Sequence, residues 1–393
     1  MIPWGSEVSP KNSVRTRANV SPLDGRNNMD YDIIIVGAGP AGAAAAIRIA
    51  NRMPDLKRRT LILEKAVFPR AKLCGGGVTT HADALLAQLR VNLNVPSFPI
   101  HALKFIYEDV EFTFRMQNIF RVVRREEFDS ALALRARTLG VELREGEPLI
   151  ELERDETGVN IQTKSGTYRA KIVIGADGAN SVVRQKLGLA RWDRISRLME
   201  ILTPVDAARA PEFVDHTAVF DFTPIARGLQ GYYWDFPSVK QGVSMMNRGL
   251  FDSRVHPGRP RAELKPIFAD ALAKRQVALD DVHLQGHPER WFDAGARHAA
   301  PHVLLAGDAA GTEPLLGEGI SHALDFGMLT ADAAIDALAH GNFSFKGYNR
   351  RVARSALGRR LQFKRAVAYI VYGNRGAWFY RLGFSALRLV FRE

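Results

Sequence analysis

Hydrophobic positions form short unbroken runs near the start of the chain and again near residue 305, with alternating stretches between them. Tyr31–Val36 is apolar enough for a buried strand, and it runs into glycines and an Ala-rich stretch, Ala41–Ile49, with helical character. A second run, Thr60–Leu63, ends on Glu64, completing a β-α-β unit that opens a parallel sheet. Residues Ala102–Met116 alternate instead, with a turn expected near Glu108–Asp109. Glu126–Leu139 then reads as a helix, and Val159–Thr163 and Lys171–Gly175 as strands. From Leu198 to Met246, aromatic and β-branched residues broken by Pro and Gly predict a strand-rich insert. Val303–Ala306 returns to the buried-strand signature, and Ile320–Leu338 is a long helical stretch. No internal repeat is visible.

These elements predict an α/β protein. Its core is a Rossmann-like domain with a parallel sheet, carrying an inserted antiparallel-sheet domain and a C-terminal helical segment. The expected boundaries are a discontinuous nucleotide domain over 29–100, 118–190 and 290–340, with the inserted domain at 101–117 and 191–289. Residues 1–28 lack periodicity and are rich in Asn, Ser, Pro and Arg, the pattern of a disordered tail or of sequence upstream of a start at Met29. Residues 341–393 form the basic helical end.

Composition is that of an ordinary globular protein, 46% hydrophobic and 24% charged over 393 residues. The net charge of +12 is concentrated: from Lys346 onward there are twelve Lys or Arg and one acid, Glu393. The body is nearly neutral, which argues against nucleic acid as a partner. A lone cysteine, Cys74, excludes an internal disulfide and a Cys-rich metal site. His81 and His322 lack metal-ligand spacing, so no metal is expected. Without a signal-like start or an apolar run of about 18 residues, the expectation is a cytoplasmic protein.

Gly37, Gly39 and Gly42 form a G-x-G-x-x-G loop between strand and helix. The first permits a tight turn, the second lets backbone approach a pyrophosphate, and the third allows close helix–strand packing. Glu64 follows Gly42 by 22 residues, the position suited to a ribose hydroxyl pair; Lys65 adjoins it. In IVIGADGANSVVR, Asp177 and Gly178 bring a carboxylate and backbone to a strand-to-helix turn. The third segment, LAGDAAGTEPLLGEGI, places Asp308 after Gly307 at a strand end. Its Gly317–Glu318–Gly319 turn then opens a helix at Ile320, and a helix N-terminus favours negative charge.

In this order the three segments resemble the para-hydroxybenzoate hydroxylase-like FAD enzymes, from Tyr31 to about Ala339. The resemblance implies FAD as cofactor, with Glu64 at the adenosine ribose, Asp308 at the ribityl or pyrophosphate region and Arg125 of RREEFD on the pyrophosphate side. Two further segments resemble the geranylgeranyl reductase family. PRAKLCGGG, with Cys74 and Gly75, looks like its P-x-x-K-x-C-G-G-G stretch. YYWDFP, with Tyr232, Trp234 and Phe236, fits its Y-x-W-x-F-P pattern. Asn247–Arg248–Gly249 stands where a short glycine-containing turn is expected.

That family implies reduction of carbon–carbon double bonds in an isoprenoid chain; an FAD monooxygenase or halogenase of the same fold is the alternative. A non-catalytic flavoprotein binding lipid or quinone is a third reading. On residues alone, Cys74 is either a proton donor at the flavin face or a small buried hydrophobe, and Tyr232 is the other candidate donor. Lys72 either stabilises an anion or is solvated. Tyr232, Trp234 and Phe236 alternate, so they share one strand face, as a lining for a prenyl chain or as plain core. No second dinucleotide motif is complete, so electrons would come from an external donor, NAD(P)H or a ferredoxin. The basic, aromatic C-terminal segment reads either as an interfacial helix on an anionic membrane, at the inner face, or as a helical pair capping the substrate domain.

Overall fold

The computed structural model describes residues 30–189, 194–279, 283–374 and 376–390; the N-terminal tail expected at 1–28 lies outside them. The chain opens with β1 (Tyr31–Val36), α1 (Pro40–Arg52) and β2 (Thr60–Glu64). After β3 (Gly77–Thr79) and α2 (Thr80–Gln88) comes a long hairpin of β4 (Ser97–Tyr107) and β5 (Val110–Val123). Helix α3 (Arg125–Thr138) leads to β6 (Glu142–Glu145), β7 (Glu151–Arg154), β8 (Val159–Gln162), β9 (Thr167–Gly175) and α4 (Val182–Lys186). The insert holds β10 (Ile195–Pro204), α5 (Pro211–Val214), β11 (Thr217–Asp221), β12 (Gly231–Lys240), β13 (Val243–Asp252), α6 (Leu264–Ala273) and β14 (Gln285–Arg290). The chain returns through β15 (Ala299–Ala300) and β16 (Val303–Leu305) to α7 (Ile320–His340). It ends in α8 (Tyr348–Arg354), α9 (Ala356–Val371) and α10 (Ala377–Val390).

Two sheets result. The first has the order β15-β16-β9-β1-β2-β6, with β7 and β8 joined as a meander to β9. Strands β16, β9, β1, β2 and β6 run parallel, as the Rossmann-like reading predicts. The β1 strand is buried along its whole length, as a parallel strand covered on both faces must be. The second sheet has the order β14-β10-β13-β12-β11-β4-β5-β3. It includes the whole hairpin from Ser97 to Val123, so the expected edges at 101 and 117 fall inside strands rather than between domains.

One correction falls inside the second sheet. Asn247–Arg248–Gly249 is not a turn but the middle of β13, paired on both sides with β12 and β10. Glycine sits in a strand there because a Cβ on Gly249 would meet the Trp234 indole and the Met199 carbonyl, the close approach that strand glycines often mark.

Helices α1 and α7 cross so closely that a Cβ on Gly327 would strike the Ala41 carbonyl and come within 2.9 Å of the Ala44 Cβ. This explains why α1 is Ala-rich: larger residues would hold the two helices apart and displace the loop at its N-terminus. Gly327→Leu is expected to lower stability by about 1–3 kcal/mol, the usual cost of overpacking. Thermal unfolding against the unmodified protein checks this.

Candidate active site

Parallel pairing places three strand ends side by side, with Val36 opposite Gly175 and Gly175 opposite Leu305. The turns that leave them are Gly37–Gly42, Ala176–Gly178 and Gly307–Asp308, so the three glycine-bearing segments of the sequence meet at one edge. Ligands of open α/β sheets bind at such carboxyl ends. Gly37 has φ +100°, and a Cβ there would strike the Ala176 carbonyl; only glycine lets the two turns touch. Gly39 caps α1, whose first residue is Pro40.

The acids at this edge are partly committed to the protein. Glu64 Oε2 accepts the Ala38 N–H at 2.8 Å and Oε1 accepts the Ala66 N–H at 3.1 Å, fixing the glycine loop to the end of β2. Asp177 Oδ2 accepts the Val183 N–H at 3.0 Å, so this carboxylate turns into the start of α4. Its Oδ1 is buried and accepts nothing from the described residues, and burial pushes its pKa up.

Arg125 does not offer a free guanidinium to a pyrophosphate. It is spent in a bidentate pair with Asp129, at 2.8 and 2.9 Å, and its charge also acts on Cys74. Asp129 also meets Arg70 at 3.2 Å. Arg70 lies 3.6 Å from where a Gly39 Cβ would be and 3.6 Å from Glu64, with a buried Nε–H that has no acceptor among the described residues. A dinucleotide fits this cradle: backbone free to approach at the glycine loop, a spare guanidinium donor for a phosphate and a spare carboxylate acceptor. Sequence reasoning missed Arg70, although it lies within the PRAKLCGGG segment.

The second sheet supplies the opposite wall. Tyr232, Trp234 and Phe236 on β12 are directly opposite Phe251, Gly249 and Asn247 on β13. Those three in turn face Leu198, Glu200 and Leu202 on β10, and His287 and Glu289 on β14 extend the same face beyond Leu198 and Ser196. Opposed residues in a sheet project to the same side, so these side chains form one surface.

Two loops close over that surface. A Cβ on Gly75 would lie 3.0 Å from the Phe236 ring and 3.7 Å from Trp234 Nε1, so the CGGG loop rests on the aromatic strand. Trp234 Nε1 donates to Asn247 Oδ1 at 2.8 Å, and Asn247 Nδ2 donates to the Cys74 carbonyl at 3.0 Å. Cys74 is half-buried, its Sγ accepting the Gly76 N–H at 3.4 Å. On the other side, the Tyr232 hydroxyl donates to the Leu316 carbonyl at 2.5 Å. This bond engages the Tyr232 proton and ties β12 to the turn, and burial pushes the phenol's pKa well above its ordinary range.

That turn, Leu315–Gly319, is organised by Glu313. Its fully buried carboxylate accepts the backbone N–H groups of Leu315 at 2.5 Å and of Leu316 and Glu318 at 3.0 Å. Glu318 itself faces away from the strand ends. It accepts from Thr79, Ser321 and Lys364. Burial works to raise its pKa, yet Lys364, His322 and Ser321 hold it down at about 2. What Gly317, Glu318 and Gly319 present toward the site is therefore backbone at the start of α7, where Ile320 is buried.

Asp308 follows β16, half-buried, and its field reaches Lys72 and Glu289. Lys72 is half-buried, its pKa lowered by burial, and in contact with His287. Burial and the charges of Lys72, Arg125 and Lys65 push His287 down to about 3, which places Lys65 in the field of the same site. Glu200, Glu289 and His287 carried no sequence signal, because they sit in strands whose polar residues read as solvent-facing. Among the described residues no cluster could hold a metal ion.

Comparison with known proteins bears on this geometry. The FAD binding domain family matches residues 30–325. A menaquinone reductase of Mycobacterium tuberculosis is 30% identical over 322 residues, covering 77% of this chain and 76% of that protein. Digeranylgeranylglycerophospholipid reductase 2 of Methanopyrus kandleri is 28% identical over 341 residues, covering 80% of each. A geranylgeranyl bacteriochlorophyll reductase-like protein from Thermoplasma acidophilum superimposes with a TM-score of 0.73 at 23% identity, covering 88% of this chain and 87% of that one. The p-nitrophenol 4-monooxygenase of Pseudomonas putida shares the fold, with a TM-score of 0.68 at 17% identity over 93% of this chain and 95% of its own.

Gly249→Val is expected to evict the Trp234 indole and break its bond to Asn247. Fluorescence emission should shift to longer wavelength while bound flavin is retained, because the first sheet is untouched. Unchanged emission would contradict the placement of the indole.

Proposed function

This chain belongs to the FAD-binding domain family and is an FAD-dependent oxidoreductase; from that premise we propose that it saturates carbon–carbon double bonds in the prenyl chain of a lipid. The observation that carries the reading is the aromatic face of β12 lying directly under the CGGG loop. The reductases among its relatives, named for menaquinone and for digeranylgeranylglycerophospholipid, favour a prenyl substrate.

When bound and reduced, FAD supplies the hydride. The cradle of Gly37, Gly39, Gly42, Glu64, Arg70 and Asp308 holds the nucleotide, with Lys65, Asp177 and Gly178 at its rim and the backbone of Gly317–Ile320 at the head of α7. Gly75 and Cys74 form the loop against which the alkene is aligned. Trp234, Phe236 and Phe251 exclude water from it, and Tyr232 fixes the distance between loop and turn. An isolated alkene is not polarised, so alignment and proton delivery must lower the barrier together. Electrons reach the cofactor from an external donor, NAD(P)H or a ferredoxin.

Anaerobic incubation of the dithionite-reduced holoprotein with prenyl quinones, prenyl glycerolipids and prenyl alcohols should yield products heavier by two mass units per saturated bond. Product that forms only with oxygen, carrying a hydroxyl or a halogen, would instead establish the monooxygenase or halogenase alternative.

The lipid reading extends to the C-terminal helices. Helix α10 docks on the second sheet through Tyr380 and Phe384, which pack against Tyr107 and Phe112. Much of the basicity is also internal: Arg360, Lys364, Arg365 and Arg381 pair with Asp325, Glu318, Asp293 and Glu108. The helical-cap and interfacial readings are thus compatible, because α10 has a second face. Trp378, Leu382 and Leu389 recur there at helical spacing and are exposed, as are Phe363 and Ile370 on α9, with Arg388 beside them. A docked helix leaving that stripe uncovered suits an anionic lipid surface. No helix among the described residues is long and apolar enough to cross a membrane, so the contact would be peripheral, at the inner face.

Replacing Trp378, Leu382 and Leu389 together by Ala should cut sedimentation with anionic phospholipid vesicles at least tenfold, since each buried side chain is worth about 1.5–3 kcal/mol. Unchanged sedimentation would reject the membrane contact.

A further inference from the structure

Glu289 is a buried carboxyl group without a structural task. It stands near the end of β14, on the side chain layer shared with His287 and, across the sheet, with Trp234 and Phe251. Its Oε2 lies 3.0 Å from the point where a Gly317 Cβ would project, and its Oε1 3.3 Å from that of Gly319. The carboxyl therefore touches the turn that opens α7 on its inner side. Oε2 accepts no hydrogen bond from the described residues. The Phe251 ring approaches the same glycine, 3.0 Å from its Cβ position.

Its charged surroundings are mostly of its own sign. Asp308 follows β16, Glu313 lies within the turn and the Cys74 thiol lies in the CGGG loop; Lys72 of the same loop opposes them, and the Tyr232 hydroxyl faces it from β12. His287, on its own strand, is neutral. No arginine forms a bidentate pair with it among the described residues. An ionised carboxylate here would pay for burial with only Lys72 and the α7 N-terminus to offset it, and its pKa lies well above the ordinary carboxylate range, raised by burial first and by Asp308 and Glu313 next.

We propose that Glu289 is the catalytic acid of the double-bond reduction: it gives its proton to the alkene carbon that does not receive the hydride. The step balances. Bound dihydroflavin would supply one hydride, carrying both electrons, to one alkene carbon as the carbon–carbon π bond breaks. The Glu289 O–H bond breaks as a new C–H bond forms at the second carbon. Glu289 is left as a carboxylate that takes its next proton from water after product leaves. The α7 N-terminus, at Gly319 and Ile320, stabilises that transient anion, as helix N-termini do.

Glu200 is the competing carboxyl. It lies on the same face of β10, also with an unpartnered oxygen, and burial raises its pKa to about 7. But it looks toward Arg124, Arg125, the Cys74 backbone and Asn247, the supports of the loop, and not toward the turn at α7. Geometry gives Glu200 a place in holding the loop and gives Glu289 the open position.

This inference rests on the prenyl-reductase reading, so the test has one arm that needs no substrate. Infrared spectroscopy of the holoprotein at neutral pH should show a protonated-carboxyl stretch that is missing in Glu289→Gln. In the second arm the reduced holoprotein is mixed anaerobically with a prenyl lipid and flavin reoxidation is followed across pH. Glu289→Gln, isosteric and uncharged, should retain FAD and thermal stability yet react at least 100-fold more slowly, the usual worth of a general acid. It should also lose the fall in rate at high pH, and Glu289→Asp should recover part of the rate. Absence of the infrared band, or a Glu289→Gln rate and pH profile like those of the unmodified protein, overturns the assignment. So does transfer of both effects to Glu200→Gln. If the unmodified protein saturates no prenyl lipid, the parent reading fails, while the infrared band still reports whether Glu289 holds a proton.

Discussion

Trp234 lies across Gly249 and donates through its indole nitrogen to Asn247, whose amide holds the carbonyl of Cys74. This chain of contacts ties the second sheet to the CGGG loop, and so joins the wall that would hold a substrate to the edge that would hold a nucleotide. It works only because glycine stands at both ends. A side chain at 249 would remove the indole, and one at Gly75 would strike Phe236. The Tyr232 bond to Leu316 does the same on the far side, so the distance between the two loops is set by the aromatic strand between them. A flat ring system needs such a fixed gap, and a floppy one would admit water.

The nucleotide half was largely legible in the sequence. Ile33–Val36, Leu61–Leu63 and Val303–Leu305 are unbroken apolar runs followed by glycine, acid or a Gly-bearing turn, as parallel strands buried on both faces must be. The glycine triplet, Asp177–Gly178 and Gly307–Asp308 could be placed at one edge because strand pairing in such sheets is so constrained. The substrate half was legible only as motifs. Asn247–Gly249 reads as a turn because glycine usually breaks strands, and its reason for being in one is a tertiary contact with Trp234 that no local pattern records. Arg125 and Glu318 stand in the right segments, but their side chains are taken up by Asp129 and Lys364. A one-dimensional pattern cannot show who pairs with whom. Glu289 illustrates the same limit from the other direction: in QGHPER it looks solvated, and only the register of β14 against β10 turns it inward.

The basic C-terminal segment changes meaning in three dimensions. Its charge excess reads as one surface, yet several of its cations neutralise acids of the body, and Lys364 helps to hold the α7 turn by binding Glu318 and approaching Glu313. Tyr372 donates to the Leu315 carbonyl at 2.5 Å, so α9 also buttresses that turn. The tail is therefore part of the site's frame, while Trp378, Leu382 and Leu389 on its far face stay exposed.

The central claim is that flavin and alkene meet between the CGGG loop and the α7 turn, on the Tyr232–Trp234–Phe236 face. A crystal structure of the FAD-loaded protein with a bound prenyl lipid tests this most directly. The account predicts the flavin ring beside Gly75 and Gly317, with the prenyl chain against Trp234 and Phe236. A prenyl chain bound elsewhere, with that aromatic face still closed as core, would contradict it.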